Sequence, residues 1–339
     1  MANYKLIDFK WNDIKEIVDS MYFENTFLTP YSDYGFLNHI INNSNIRQRK
    51  QFKKCYFKTF VLFKDDNPVY VVPLLLNNKE KTIYLAGHFN SVGHVDFIYK
   101  KDVAEEDFQA LLEKIKSKYG GYSLLLDRIS QFSKTYSFVA DIGCEPTEKE
   151  TCVKIDFTDY NTWFSSLSKS CRQNIRTAYN RMNRENKKFR FLFYINEQPT
   201  KKYYKDHISL FSKRILEHSK LPKALFIPMK LFKQSDPLSK ALLDYKDKIF
   251  AGFYIDNQLA GTLNGVISND GRVIVTRLSV NVKFGVYSPG GLLINETIKA
   301  ITSQNIANIK SLDLSRGDEK YKYTYGGIEH FNYSFILRL

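Results

Sequence analysis

The stretch Arg272–Tyr325, RVIVTRLSVNVKFGVYSPGGLLINETIKAITSQNIANIKSLDLSRGDEKYKYTY, decides the fold. Val273, Val275 and Leu278 lie in a β-branched run that reads as a strand. Ser288-Pro289-Gly290-Gly291 breaks the run, and Leu292, Leu293, Ile298 and Ile301 resume at helical spacing. A second strand, Ser311–Leu314, empties into the polar cluster Ser315-Arg316-Gly317-Asp318-Glu319-Lys320-Tyr321-Lys322. The Ser-Pro-Gly-Gly turn leaves backbone N–H groups unblocked at a helix start, where the macrodipole favours an anion. Open α/β sheets hold their ligands just past strand ends, which is where the polar cluster falls. The stretch therefore predicts a phosphate-bearing ligand with a reactive neighbour.

The same grammar extends outward. Ile249–Tyr254 and Gln258–Ile267 flank Asp256-Asn257 and predict a hairpin. Thr151–Phe157 and Phe331–Leu337 add strands at either end of this half. Upstream, Lys58–Phe63 and Val69–Leu76 form another hairpin, with Ile83–Ala86 and His94–Tyr99 as further strands. Phe108, Leu111, Leu112 and Ile115 are spaced as a helix that Gly120-Gly121 ends, and Tyr122–Leu126 and Phe138–Ile142 complete that half. Residues 1–50 read as helix and loop, with Ile14, Ile17, Val18 and Met21 on one face. The fold class is α/β with mixed sheets, and 339 residues exceed what one core usually holds. The expected division is 1–150 and 151–339, each half with hairpin strands, a helix and further strands.

With 43% hydrophobic and 15% aromatic residues the chain can bury large cores, which excludes a disordered class. Fifty Lys and Arg against 36 Asp and Glu give +14, a balance suited to a polyanionic partner or simply to solubility. Cys55, Cys144, Cys152 and Cys171 form no CxxC pair and read as reduced thiols. The histidines form no HExxH or ligand cluster, so no metal is expected. His94 and Asp96 would share a strand face and line an acceptor cleft, or serve the structure alone; Glu217 and His218 are weaker candidates for the same cleft. No apolar run reaches the ~20 residues of a membrane span, and a cytoplasmic location is expected, with peripheral membrane contact left open.

Trp163–Arg190 reads as one long basic helix. Leu167, Cys171, Ile175, Ala178 and Met182 share a face, and Lys169, Arg172 and Arg176 fall opposite. Such a helix packs one side and offers guanidinium groups to an anion, or is a solvated basic surface. No helix-turn-helix or zinc pattern accompanies it, which argues against DNA.

Four passages resemble the cellulose-biosynthesis-type acyltransferases, a double-GNAT branch of the GNAT superfamily related to the Fem peptidyltransferases. They are Val71-Val72-Pro73-Leu74-Leu75-Leu76 with Leu85-Ala86-Gly87 and His94–Phe97, then Leu167–Arg176, then Tyr287–Leu293, and last Leu312–Lys322. The last is similar to the family's D-x-x-R-G-D-x-x-Y-K. Where the usual GNAT pyrophosphate loop has more glycines after an Arg or Gln, this chain has Gly290 and Gly291. The resemblance implies two tandem GNAT-like domains, the C-terminal one carrying the acyl-CoA site and the N-terminal one degenerate. It implies acyl transfer from acetyl-CoA or another acyl-CoA to an amine or hydroxyl of a small-molecule, carbohydrate, peptide or cell-surface acceptor.

Under that resemblance Leu278, Val280, Ser288, Gly290, Gly291 and Leu292 hold the cofactor. Asp318 is the first choice for general base or amine anchor, and Tyr321 for the acid that protonates the thiolate. Arg172, Arg176, Arg316, Lys322, His94 and Asp96 are the substrate-binding candidates. The competing expectations are a Fem-type ligase fed by aminoacyl-tRNA and a non-catalytic double-GNAT scaffold that binds nucleotide or nucleic acid. The charge favours the first of these rivals, while the long helical hairpin usual in Fem proteins is missing from the sequence.

Overall fold

A computed structural model describes residues 2–23, 25–42, 54–89, 92–218, 237–304, 306 and 308–339, the side chains of 215–218 and 237 excepted. Glu217 and His218 thus fall outside the described side chains. The chain forms two compact units. One holds Met1–Thr151, Pro237–Asp244 and His330–Leu339, the other Cys152–Asp236 and Tyr245–Glu329.

In the first unit β1 (Tyr4–Phe9), β2 (Tyr56–Lys64), β3 (Asn67–Asn77) and β4 (Thr82–Leu85) form an antiparallel meander. The β2–β3 turn is the expected hairpin. Asp65 and Asp66 both take positive φ (48° and 64°), the backbone of a two-residue turn whose twist matches its strands. β5 (Ile98–Tyr99) pairs β3, so only the end of the expected strand from His94 is extended. Helix α1 (Lys15–Tyr22) buries Val18 and Met21, and α2 is Tyr34–Asn42. Helix α3 (Glu105–Tyr119), which buries Phe108, Leu111 and Ile115, crosses over to β6 (Ser123–Ser130), parallel to β4. The terminal strand, from Asn332 to Arg338, lies antiparallel to β6.

Two expectations change here. Phe138–Ile142 is not a strand but part of helix α4 (Lys134–Asp141), because Ser133 caps it by accepting the Thr135 amide, and Thr135 and Val139 are buried at helical spacing. Tyr4–Phe9 is an edge strand rather than loop, held by its register against β2.

The second unit repeats the plan. β7 (Glu148–Asp156) leads to helices α5 (Tyr160–Ser166) and α6 (Lys169–Arg184), β8 (Phe189–Ile195) and α7 (Lys201–His218). β9 (Lys248–Ile255), β10 (Gln258–Ile267) and β11 (Arg272–Val280) continue the meander from β8. Helix α8 (Pro289–Ser303) crosses to β12 (Ser311–Arg316), parallel to β11, and β7 closes that side antiparallel to β12.

The long basic helix is therefore two. Ser168 caps α6 by accepting the Cys171 amide, and Leu167 in extended backbone separates the pieces. Arg190 sits on β8. The apolar stripe Cys171, Ile175, Ala178 and Met182 is buried as its spacing predicts. These residues join Leu292, Leu293, Ile298 and Ile301 of α8 and Val273 and Val275 of β11 in one core. Each of the Val, Leu, Ile and Met side chains among them, withdrawn from water, contributes about 1.5–3 kcal/mol.

Helix α7 is seated by Tyr203. Its hydroxyl lies 3.0 Å from the Ala251 carbonyl and 2.6 Å from both Thr262 Oγ1 and Asn264 Oδ1. Gly252 makes room for the ring, since a Cβ there would stand 2.6 Å from it.

Candidate functional site

β11 is irregular where the chemistry is expected. Asn264 pairs Arg277 and Gly265 pairs Val275, so Thr276 is an extra residue, a β-bulge. Gly265 is required opposite it, because a Cβ would lie 2.8 Å from the Ile274 carbonyl. The bulge returns Leu278 to the same core as Val273 and Val275.

β11 and β12 pair over only Arg272–Ser311, Val273–Leu312 and Ile274–Asp313. There β12 turns aside. Ser315 adopts φ 58°, its amide donates to Asp313 at 2.8 Å, and its hydroxyl donates to the Val275 carbonyl at 2.8 Å. From Thr276 to Val280, β11 runs on without a β12 partner. Arg214 of α7, which no motif marked, donates to the Leu278 carbonyl on this stretch.

The turn into α8 starts at Ser288, whose φ is 49°. The Ser288 amide donates to the Gly285 carbonyl at 3.0 Å, and the Leu292 amide to the Ser288 carbonyl at 3.1 Å. Pro289 has no N–H. The amides of Gly290 and Gly291 are the donors left at this helix start, with no hydrogen bond among the described residues. The expected roles of Ser288 and Leu292 are corrected accordingly: their amides are used within the turn, and the Leu292 side chain is 1% exposed in the core.

Val280 touches the same start, since a Cβ on Gly290 would stand 3.2 Å from its Cγ1. A Cβ on Gly291 would fall 1.7 Å from the hydroxyl of Tyr325. That phenol, pushed up to about 12 by burial and by nearby Cys171, was not anticipated from the sequence. The glycine at 291 could have signalled a ring packed against the helix start.

Helix α9 (Lys320–Thr324) follows β12. Lys322 is buried beneath the preceding loop. Its ammonium donates to the carbonyls of Ser315 (3.0 Å), Arg316 (2.7 Å) and Gly317 (2.9 Å) and pairs with Glu319 at 3.0 Å. This corrects the reading of Lys322 as a substrate contact: its hydrogen-bonding capacity is spent on the loop. Asp318 and Arg316 are exposed on that loop. Tyr321 is 39% exposed, and the partial burial of its ring, reinforced by the charge of Glu319 and opposed by that of Arg214, pushes its phenol up to about 12. Arg214 thus lies beside both the unpaired stretch of β11 and Tyr321.

Of the two arginines of α6 expected at the site, Arg172 donates to the carbonyls of Ser165 (2.6 Å) and Leu167 (2.7 Å), closing the end of α5. One guanidinium nitrogen thus caps α5, a use its place on the helix face did not predict. Arg176 remains exposed, 5.9 Å over the Phe164 ring.

His94 and Asp96 belong to the first unit and serve its packing, another correction. His94 is buried with Nδ1 2.9 Å from Asn332 Oδ1. Asp96 accepts from the hydroxyl of Ser133, from Thr135 Oγ1 at 2.6 Å and from the Phe97 amide at 2.8 Å, fixing the start of α4. Burial pushes its carboxyl up to about 6, against the lowering effect of those donors. A raised value in the folded chain means that the stability it contributes is present below the unfolded value of 3.8 and is lost as pH rises through about 6. The melting temperature of Asp96→Asn relative to the parent is therefore expected to be more favourable at pH 8 than at pH 5. An offset that is the same at both values would mean that Asp96 titrates normally.

Among the described residues no group of three or more His, Cys, Asp or Glu is placed to hold a metal ion, and no helix is long and apolar enough to cross a membrane.

No family model matches the chain, and no curated protein does. Solved structures do. A tandem GNAT protein from the clavulanic acid biosynthesis pathway is 10% identical, with 98% of each chain covered and a TM-score of 0.52. FemX is likewise 10% identical over 98% of each chain, at 0.51. L-PGS from Bacillus licheniformis is 14% identical over 89% of this chain and 90% of its own, at 0.52. At such identities the likeness is one of fold: the chain has the mixed α/β architecture of the tandem GNAT proteins across nearly its whole length.

Proposed function

We propose that the chain is an acyltransferase that moves an acetyl or other acyl group from a CoA thioester to an amine of a small-molecule, sugar or cell-surface acceptor. The observation that carries this reading is the early parting of β11 and β12 beside the two unused amides of Gly290 and Gly291. Donors without a Cβ at a helix N-terminus suit a pyrophosphate. A strand that has lost its neighbour suits a ligand that carries amides of its own and completes the ladder, as a pantetheine arm does.

The chain's own groups then have these parts. Leu278 and Val280 line the donor arm, and Arg176 and Arg316, both exposed, meet an anionic group of either substrate. Tyr321, a phenol and so protonated throughout the neutral range, supplies a proton to the departing thiolate. Asp318, exposed at the loop crest, takes the proton from the attacking amine. The likeness in fold to a tandem GNAT protein and to FemX fits acyl transfer in general. The narrower assignment to the cellulose-biosynthesis type rests on the four sequence passages alone.

The test is thermal melting with acetyl-CoA, desulfo-CoA and bulk tRNA in parallel. Ligand at about 100 times its dissociation constant adds roughly 2.7 kcal/mol, a rise of several degrees. Both CoA species should produce it, and Asp318→Asn should retain the rise while turnover falls about 100-fold. A rise with tRNA alone would transfer the assignment to an aminoacyl-tRNA-dependent ligase, the reading favoured by the exposed cations of α6. Full turnover in Asp318→Asn would remove that residue from the reaction.

A further inference from the structure

The short 3-10 helix Val282–Tyr287, between β11 and α8, is built in an unusual sense. At three residues per turn it has three ridges. The ridge bearing Phe284 and Tyr287 is turned inward, the two residues being 6% and 7% exposed. The other two ridges carry Val282 with Gly285 and Lys283 with Val286, and the valines are 68% and 60% exposed. A helix of this composition could have buried its aliphatic residues; it buries its aromatic ones and leaves the valines standing out.

Their surroundings are basic. Arg181 of α6 donates to the Val286 carbonyl at 2.7 Å, which ties the exposed side of α6 to this helix. Arg184, on the same side, is exposed, and Lys187, Lys188 and Lys283 complete the group. Two carboxylates share the face: Glu185 accepts from the Tyr287 hydroxyl at 2.5 Å and lies 3.9 Å from Arg184, and Asp256 pairs with Lys187 at 2.8 Å, so five cations meet two anions. The face therefore combines a surplus of cations with two protruding aliphatic side chains.

We propose that this face docks the protein, reversibly, on an anionic lipid surface. The cations meet headgroup phosphates, and Val282 and Val286 enter the interfacial layer. Charge alone would suit RNA equally well. Single strands are held by stacking on aromatic rings, and Phe284 and Tyr287 of this helix are turned inward while its valines stand out. Aliphatic groups displayed among cations match a headgroup and acyl boundary instead.

The experiment uses the full chain and co-sedimentation with vesicles of phosphatidylglycerol plus phosphatidylcholine, and of phosphatidylcholine alone. Binding to the anionic vesicles and not to the neutral ones is expected. Val282→Ser with Val286→Ser should weaken it about tenfold, the equivalent of 1.4 kcal/mol, without shifting the melting temperature, since both sites are exposed. Arg184→Glu should weaken it by a similar factor. The proposal is overturned if anionic vesicles do not bind, if neutral ones bind as well, or if the valine changes have no effect. A structured RNA bound tightly, with a steep salt dependence and indifference to the valine changes, would likewise overturn it in favour of nucleic acid.

Discussion

Gly291→Ala is expected to cost about 3 kcal/mol and to lower the melting temperature by roughly 6–12 °C, a large response to one methyl group. The new Cβ would fall 1.7 Å from the Tyr325 hydroxyl and 2.7 Å from Cζ, so a flexible side-chain tip cannot simply step aside. The ring itself is pinned, because the Tyr325 carbonyl accepts from Trp163 Nε1 at 3.2 Å and the side chain packs against the core. Either the ring or the first turn of α8 must move. The double change Gly291→Ala with Tyr325→Ala should be less destabilised than the sum of the two, by about 1–3 kcal/mol, since removing the ring removes the collision. Strict additivity in urea unfolding would show that ring and glycine do not meet. The single variant should also bind acetyl-CoA poorly, because the disturbed turn is the one that offers its amides.

Lys322→Met is the second large effect, about 3–5 kcal/mol. Methionine matches the length of the lysine stem but leaves three carbonyls and the Glu319 carboxylate without their shared donor. The backbone there is already held in uncommon conformations, with Ser315 at φ 58° and Gly317 at φ 100°. The ammonium is what draws the three carbonyls to one point. Without it the loop bearing Asp318 should lose protection in amide hydrogen exchange, and turnover should fall with it. A variant with parent-like stability and exchange would mean that the loop is held by something else.

These two residues also mark the limit of what the sequence could reveal. Hairpins were legible because Asp65-Asp66 and Asp256-Asn257 are turn residues bracketed by β-branched runs, and the α8 turn because Ser-Pro-Gly-Gly has few other uses. The mixed α/β class followed from those local signals. Lys322 was misread because a lysine amid charges looks solvated. Its burial depends on two left-handed residues whose effect has no linear signature. The cap that Arg172 makes was hidden for a related reason, since a helix wheel takes no account of the break between α5 and α6 at Leu167-Ser168 that brings its guanidinium to the carbonyls of Ser165 and Leu167. The partner of His94, Asn332, is 238 positions away, and no pattern in a single sequence spans that distance. Arg214 and Tyr325 belong to no motif. They were found only through what they touch.

One feature of the first unit bears on how the molecule comes into being. Its sheet is laid down in the first 130 residues except for one strand, and that strand begins only around His330. A ribosome therefore completes β6 long before its partner exists. In the interval the Ser123–Ser130 edge presents unpaired amides and carbonyls on a nascent polypeptide, the condition under which strands recruit the wrong neighbour. At about 5–20 residues per second the wait for the last strand is on the order of 10–40 seconds. The second unit is made wholly within that wait. The order of synthesis thus leaves the first-made half to finish last.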